Sequence, residues 1–172
     1  VNGETISAQD FQALVEEYTE VVKFSSGLNA LSDEQTNQIK DEVWRAYVNN
    51  KLIENEAEKL GLTVSKAELQ AIIDAGVHPM LQQTPFRNPQ TGAFDKDMLK
   101  KFLVDYSKMN KAQMPAQYAE YYNSMYNFWS FVEKSLIQAR LQEKYQALIT
   151  KSLFSNPVEA EDAFNARVDQ SD

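Results

Sequence analysis

Apolar side chains recur every three or four positions along most of this chain, and that spacing predicts amphipathic α-helices. A serine followed three residues later by an acidic residue or glutamine, which is typical of helix starts, occurs at Ser7, Ser32 and Ser65. Gly27 and Gly61 stand where the first two apolar patterns stop. The pattern therefore predicts a first helix that ends at Gly27, a second near 33–60 and a short third helix after Ser65.

The second predicted helix carries apolar residues over a wide face. One stripe at helical spacing contains Ile39, Val43, Ala46, Tyr47, Ile53, Ala57 and Leu60, and a second row beside it contains Trp44, Val48 and Leu52. An apolar face of this width predicts a helix that is buried against two neighbours.

Residues 75–94 predict a loop, because Pro79, Pro85, Pro89 and Gly92 interrupt any regular pattern there. A loop of about 20 residues is long by the usual standards and is often functional or mobile. Asp95 then caps a further helix, whose apolar residues are Leu99, Phe102, Leu103 and Tyr106.

Pro115 stands at the start of the longest uninterrupted pattern, and no proline or glycine follows it before Pro157. A helix over 115–152 would be about 57 Å long, which exceeds the diameter of a compact domain of this size. Such a helix either bends or projects from the domain. A final polar helix is expected from Asn156-Pro157 onward.

The predicted fold class is all-α, with several long helices in a single domain over 1–172. Only the opening VNGETIS suggests another element, since Val1 and Ile6 flank the turn signal Asn2-Gly3. These residues could form a very short N-terminal strand or a pinned extended segment.

The stretch YAEYYNSMYNFWSFV at 118–132 is unusually aromatic. The row of Tyr118, Tyr122 and Trp129 is expected to face the domain core, because an aromatic stripe at helical spacing is core more often than surface. The other aromatic residues of this stretch lie on different faces of the same helix, and one partner helix cannot bury them all. They are Tyr121, Tyr126, Phe128 and Phe131. This excess predicts an exposed apolar surface.

The composition of the chain excludes some classes of function. The chain has 172 residues, a net charge of -8 and no cysteine. The negative charge argues against a nucleic-acid partner, which requires a basic face. No apolar run approaches the ~20 residues of a membrane span. Because the chain starts at Val1 instead of methionine, it is expected to be a processed or excised fragment.

The sequence predicts neither a catalytic centre nor a metal or cofactor site. His78 is the only histidine, so a histidine-based metal cluster or a histidine acid-base pair is ruled out. Asp95 and Asp97 begin a spacing like that of a calcium loop, but Leu99 and Lys100 break it. The groups of acidic residues on the helices are interpreted as solvated faces.

Three stretches together resemble the N-terminal chaperone region of the SurA and PpiD family. They are VNGETISAQDF at 1–11, DEVWRAYVNNKLIENEAEKLGLTVSKAEL at 41–69, and the segment from Pro85-Phe86 to Gly92-Ala93-Phe94-Asp95. The middle stretch is the most specific of the three. The spacer from Arg87 to Thr91 is longer than the family pattern. The resemblance covers roughly 1–106 and fades along the aromatic helix.

The resemblance implies a folding chaperone of the bacterial periplasm that binds unfolded or nascent polypeptides, including outer-membrane proteins. Members carry parvulin-type peptidyl-prolyl isomerase domains elsewhere in the chain, and no parvulin pattern is present here, so no isomerase activity is expected. PpiD looks closer than SurA, which implies a parent anchored in the inner membrane. In this family a helix from beyond the isomerase domain often completes the N-terminal domain.

Under this interpretation, an apolar crevice between helices would hold extended apolar peptide. The residues predicted to contact the peptide are Met80, Phe86, Tyr121, Tyr126 and Phe128. Aromatic residues and methionine suit such binding because they give large contact areas with little geometric demand. The alternative is a structural module, in which the same apolar surface pairs with a second copy to form a homodimer that has no client.

Overall fold

The computed structural model describes residues 5–154, and this part of the chain is all-α, as predicted. The helices are α1 (Ala8–Ser26), α2 (Asp33–Lys59), α3 (Lys66–Ala75), α4 (Lys96–Lys108) and α5 (Ala116–Leu153). Short 3₁₀ turns occur at Leu81–Gln83 and Lys111–Gln113. Among the described residues the only β feature is an isolated antiparallel bridge between Arg87 and Phe94.

The helix boundaries follow the local signals in the sequence. At the start of α2, the Ser32 hydroxyl accepts from the Gln35 amide, and the Gln35 side chain accepts from the Ser32 amide. Ser65 and Glu68 form the same reciprocal pair at α3. Gly27 ends α1 with a φ of 72°, a left-handed conformation that a residue with a side chain rarely adopts. The predicted boundaries of α1, α2 and α3 are therefore confirmed.

Helix α5 is the centre of the fold. It is a continuous helix of 38 residues, as predicted in extent, and it begins at Ala116 with Pro115 as its N-cap, one residue later than the predicted start. Helices α1, α2 and α4 all pack against it. Its ends carry exposed apolar residues, among them Tyr118 and Leu153, so the helix extends past the partners that bury its middle.

Three apolar clusters hold these helices together. The largest surrounds α5 and includes Leu81, Phe86, Trp129 and Leu136. A second lies between α1 and α2 and contains Val15, Ile39 and Val43. The third joins α2 to the later part of α5 through Ile53, Ala57 and Leu141. Helix α2 thus has two neighbours, as its wide apolar face predicted.

The predicted loop at 75–94 folds back onto the core. Leu81, Thr84 and Phe86 are all buried. The Gln82 side chain forms hydrogen bonds to both ends of the loop. Its Nε2 donates to the Gly76 carbonyl at 2.7 Å, and its Oε1 accepts from the Phe94 amide at 3.1 Å. This segment is a structural part of the domain core.

Two residues predicted to lie on the exposed surface are buried instead. Phe128 is 5% exposed because α1 covers its side of α5, where the ring of Phe24 lies 5.4 Å from it. Phe86 is 3% exposed, and its ring lies 5.4 Å from that of Phe102 and 6.2 Å from that of Trp129. The expected exposure of both residues was wrong.

Some residues that were predicted to be buried are exposed instead. Tyr118 is 61% exposed because it lies in the first turn of α5, before the region that α1 and α4 cover. On α2, Trp44 and Leu52 are also exposed. Trp129 is buried and Tyr122 is partly buried against the core, as expected.

Two further expectations fall largely on residues that the structure does not describe. The final helix expected from Asn156-Pro157 lies wholly outside the described range. The proposed strand at Val1 also lies outside it.

Candidate peptide-binding groove

A groove of about 850 Å³ opens between α1, α2 and α5. This volume lies in the upper part of the range that is usual for ligand sites. Its apolar lining residues come from all three helices and from the loop after α3: Leu14, Tyr18, Val43, Ala46, Tyr47, Met80, Phe131, Ile137 and Ala139. We call this site the central groove.

Each helix presents its part of the central groove because its other apolar residues are fixed in the core. Val15 on α1 packs with Ile39 and Val43 on α2, which joins these two helices. The ring of Tyr18 on α1 lies 5.5 Å from that of Phe131 on α5. The central groove therefore forms where three helices meet.

Two small residues contribute to the walls of the central groove. Ala46 lies on α2 and Ala139 lies on α5. Ala46 belongs to the apolar stripe of α2, and Ala139 continues the row of Tyr122, Trp129 and Leu136 on α5. The other members of both rows are mostly large. A larger side chain at either position would occupy part of the groove, so these alanines help to keep it open.

Polar contacts connect the helices around the groove. Lys134 Nζ on α5 lies 2.5 Å from Glu17 Oε2 on α1. Gln138 Nε2 on α5 donates to Glu54 Oε1 on α2 at 2.7 Å. Lys51 lies 3.4 Å from the other oxygen of Glu54. The contacts of Lys134 and Gln138 join α5 to α1 and α2, whereas the pair of Lys51 and Glu54 lies within α2.

Tyr18 and Glu42 form a hydrogen bond inside this lining. The Tyr18 hydroxyl donates to Glu42 Oε2 at 3.0 Å. Burial raises the pKa of Tyr18 above its ordinary value, and the hydrogen bond and negative charge of Glu42 raise the pKa further. Tyr18 therefore stays protonated at neutral pH and keeps its role as a donor.

Gln138 has one unsatisfied group. Its Nε2 is engaged by Glu54, whereas its Oε1 is buried and has no hydrogen-bond partner among residues 5–154.

Of the five residues predicted to contact peptide, one lines the central groove. Met80 contributes from the loop after α3. Phe86 and Phe128 are in the core. Tyr121 and Tyr126 are exposed, but neither lines the central groove. The structure therefore does not bring the predicted set together at one site.

Tyr121 and Tyr126 lie on different sides of α5. The ring of Tyr121 is 6.1 Å from Phe24 of α1, which also contacts Phe128. Tyr126 stacks on Tyr106 of α4, with centroids 4.4 Å apart and an interplanar angle of 5°. This agrees with the helical geometry, which predicted Tyr121 and Phe128 together and Tyr126 apart from them.

Most residues that line the central groove were not predicted from the sequence. Phe131 was counted among the excess aromatic residues of α5, and it is the one of that group that lines the groove. The alanines at 46 and 139 were a usable signal, because each leaves a gap in a stripe of large apolar residues. The contribution of α1, through Leu14 and Tyr18, had no comparable signal.

Within residues 5–154 no group of three or more histidine, aspartate or glutamate side chains is arranged to hold a metal ion. None of the helices in that range combines the length and the apolar character that crossing a membrane requires.

Comparison with known proteins identifies a family. The family model for the SurA-like N-terminal domain matches residues 1–103, which is more than half of the chain. No curated protein and no solved structure matches. The matched residues include α1, α2 and α3 and reach into α4, so two of the three walls of the central groove lie within them. The chain therefore belongs to the family of SurA-like N-terminal domains.

Proposed function

We propose that this chain is an extracytoplasmic folding-chaperone module that holds segments of unfolded or nascent polypeptide in the central groove. Membership of the SurA-like family suggests a chaperone-type module. The observation that carries the proposal is the open groove of about 850 Å³ between α1, α2 and α5 of such a domain.

The lining of the groove suits clients of varied sequence. Phe131 and Tyr47 provide broad aromatic surfaces, and Met80 has a flexible side chain that adapts to different partners. Burial of apolar client side chains against these residues releases about 25 cal/mol per Å² and requires no particular geometry. An extended segment with several apolar side chains is the ligand that fits this surface.

The proposal extends to the cellular setting and to the parent protein. SurA-like domains are typically periplasmic, and unfolded outer-membrane proteins are clients of the kind we expect there. The parent would carry a parvulin isomerase domain elsewhere and an anchor in the inner membrane. The present chain would act as its chaperone part and would have no isomerase activity.

A groove-filling substitution tests the proposal directly. Ala46→Trp places a large side chain in the central groove, and Ala71→Trp is the matched control on an exposed face of α3. Suppression of the aggregation of an unfolded client would be measured by light scattering, together with the melting temperature of each variant. We expect Ala46→Trp to reduce suppression several-fold and Ala71→Trp to leave it unchanged, with similar melting temperatures for both.

The alternative, a helical module that pairs with a second copy and has no client, has a distinct outcome in the same measurements. Trp44, Tyr118 and Tyr121 are exposed aromatic residues that could form such an interface. A dimer in light scattering without client, together with no suppression of aggregation by the unchanged chain, would favour this alternative over the groove.

A further inference from the structure

The central groove is lined by charged as well as apolar residues, and the charges do not balance. The charged lining residues are Glu17, Glu42, Glu54, Lys51 and Lys134. The carboxylates outnumber the ammonium groups, so the lining as a whole is negative.

The excess negative charge of the lining belongs to Glu42. Lys134 pairs with Glu17 at 2.5 Å, and Lys51 pairs with Glu54 at 3.4 Å. Glu42 instead accepts a hydrogen bond from the neutral hydroxyl of Tyr18. Among residues 5–154, no lysine, arginine or histidine lies within ion-pair distance of Glu42.

Glu42 retains the capacity to bind a cation from outside the chain. An ionised carboxylate can accept about four hydrogen bonds, and one of these positions is occupied by Tyr18. The residue is exposed, so its remaining positions are open to solvent. Glu42 lines the groove together with Tyr18 and Phe131, whose rings lie 5.5 Å apart.

We propose that the central groove preferentially takes apolar polypeptide segments that carry a lysine or arginine, whose cation pairs with Glu42 while the neighbouring apolar side chains lie against Tyr18 and Phe131. This inference rests on the proposed function, because it names the class of segment that the same groove selects. The charge complementarity is what commits it to a basic apolar segment instead of an acidic one.

The expected preference is moderate. Ion pairs between solvent-exposed groups are typically weak, and their usual free energies correspond to a change in affinity of about two- to fivefold. Salt screens such pairs, so the preference should decrease as ionic strength rises. The apolar contacts would provide the larger part of the affinity.

The experiment uses three fluorescent peptides that differ at one position. Each carries the same phenylalanine and leucine residues, and the variable position is lysine, glutamine or glutamate. Fluorescence anisotropy gives the dissociation constant of each peptide for the unchanged chain. The lysine peptide should bind about two- to fivefold more tightly than the glutamine peptide, and the glutamate peptide should bind most weakly.

Two protein variants test whether the preference for the lysine peptide depends on Glu42. Glu42→Gln removes the charge and keeps a carbonyl oxygen that can accept from Tyr18. Asp41→Asn removes the same charge from the neighbouring exposed position, which does not line the groove. We expect the affinity ratio between the lysine and glutamine peptides to fall to about one in Glu42→Gln and to persist in Asp41→Asn.

The possible results distinguish the preference for basic segments from the proposed chaperone function. Tight binding of all three peptides with equal affinity would overturn the preference for basic segments and leave the chaperone groove intact. A preference that disappears equally in both variants would assign it to the net charge of the chain instead of Glu42. Failure to bind any of the peptides would contradict the proposed function itself.

Discussion

The ring of Phe24 on α1 lies 5.4 Å from the ring of Phe128 on α5. The same Phe24 ring lies 6.1 Å from that of Tyr121, two helical turns earlier on α5. Phe128 is almost fully buried and belongs to the largest core cluster, whereas Tyr121 remains 52% exposed. Two neighbouring aromatic residues on one side of α5 thus have very different environments.

This difference predicts different costs of truncation. Phe128→Ala should lower the free energy of unfolding by about 3–5 kcal/mol, because it leaves a cavity between α1 and α5. Tyr121→Ala should change the free energy of unfolding much less, by about 1 kcal/mol or less, because half of its side chain is already in water. Urea denaturation followed by circular dichroism measures both. Equal losses for the two variants would show that the α1–α5 interface covers Tyr121 as well.

The two tryptophans form a second matched pair. Trp129 is 3% exposed and contacts Phe86, whereas Trp44 is 49% exposed on α2. Trp129→Ala is expected to cost about 3–5 kcal/mol of stability. Trp44→Ala is expected to cost far less, because it removes only an edge contact to Phe11 and a stacking contact to Tyr47 at the surface. Thermal unfolding of the two variants under the same conditions tests the ranking.

A third prediction concerns the ionic contacts between α3 and α5. Lys144 Nζ lies 2.9 Å from Glu68 Oε1, and Arg140 Nε lies 3.3 Å from Glu68 Oε2. The pKa of Glu68 is lowered below its ordinary value, chiefly by the hydrogen bond from Lys144 and then by the bond from the Ser65 amide. A lowered pKa in the folded state means that ionised Glu68 stabilises the fold above the ordinary pKa of a glutamate. This contribution is lost as pH falls through the folded-state pKa.

Glu68→Gln isolates the ionic part of that contribution, since glutamine at this position can still complete the capping box with Ser65. We expect the variant to melt at a lower temperature than the unchanged chain at neutral pH. The difference should shrink toward zero in acid as Glu68 becomes protonated. Glu58→Gln, which removes one charge from an exposed position on α2, is the control and should show little difference at neutral pH. A difference for Glu68→Gln that is constant from neutral to acid pH would contradict the ionic explanation.

The fourth prediction is that this chain does not catalyse prolyl isomerisation. Its only histidine, His78, accepts a hydrogen bond at Nδ1 from the Met80 amide at 3.1 Å, so this nitrogen has a structural role in the loop. The rate of isomerisation of a short proline peptide should equal the uncatalysed rate. Catalysis that is lost in His78→Ala would overturn the prediction.

The helix pattern of this protein was determined by its sequence alone. Ser32 with Gln35 and Ser65 with Glu68 start their helices through hydrogen bonds that span three residues, so they need no tertiary partner. Gly27 ends α1 through its own backbone conformation. The length of α5 follows equally from local causes, because no proline or glycine interrupts it.

The tertiary structure alone decided which apolar residues are buried and where the groove lies. Helical spacing places Phe128 and Tyr121 on the same side of α5, and Phe24 of α1 lies near both, yet Phe128 is buried and Tyr121 is exposed. The central groove likewise depends on residues as distant in sequence as Tyr18 and Phe131. Burial at these positions depends on how three helices approach each other, and no local pattern encodes that approach.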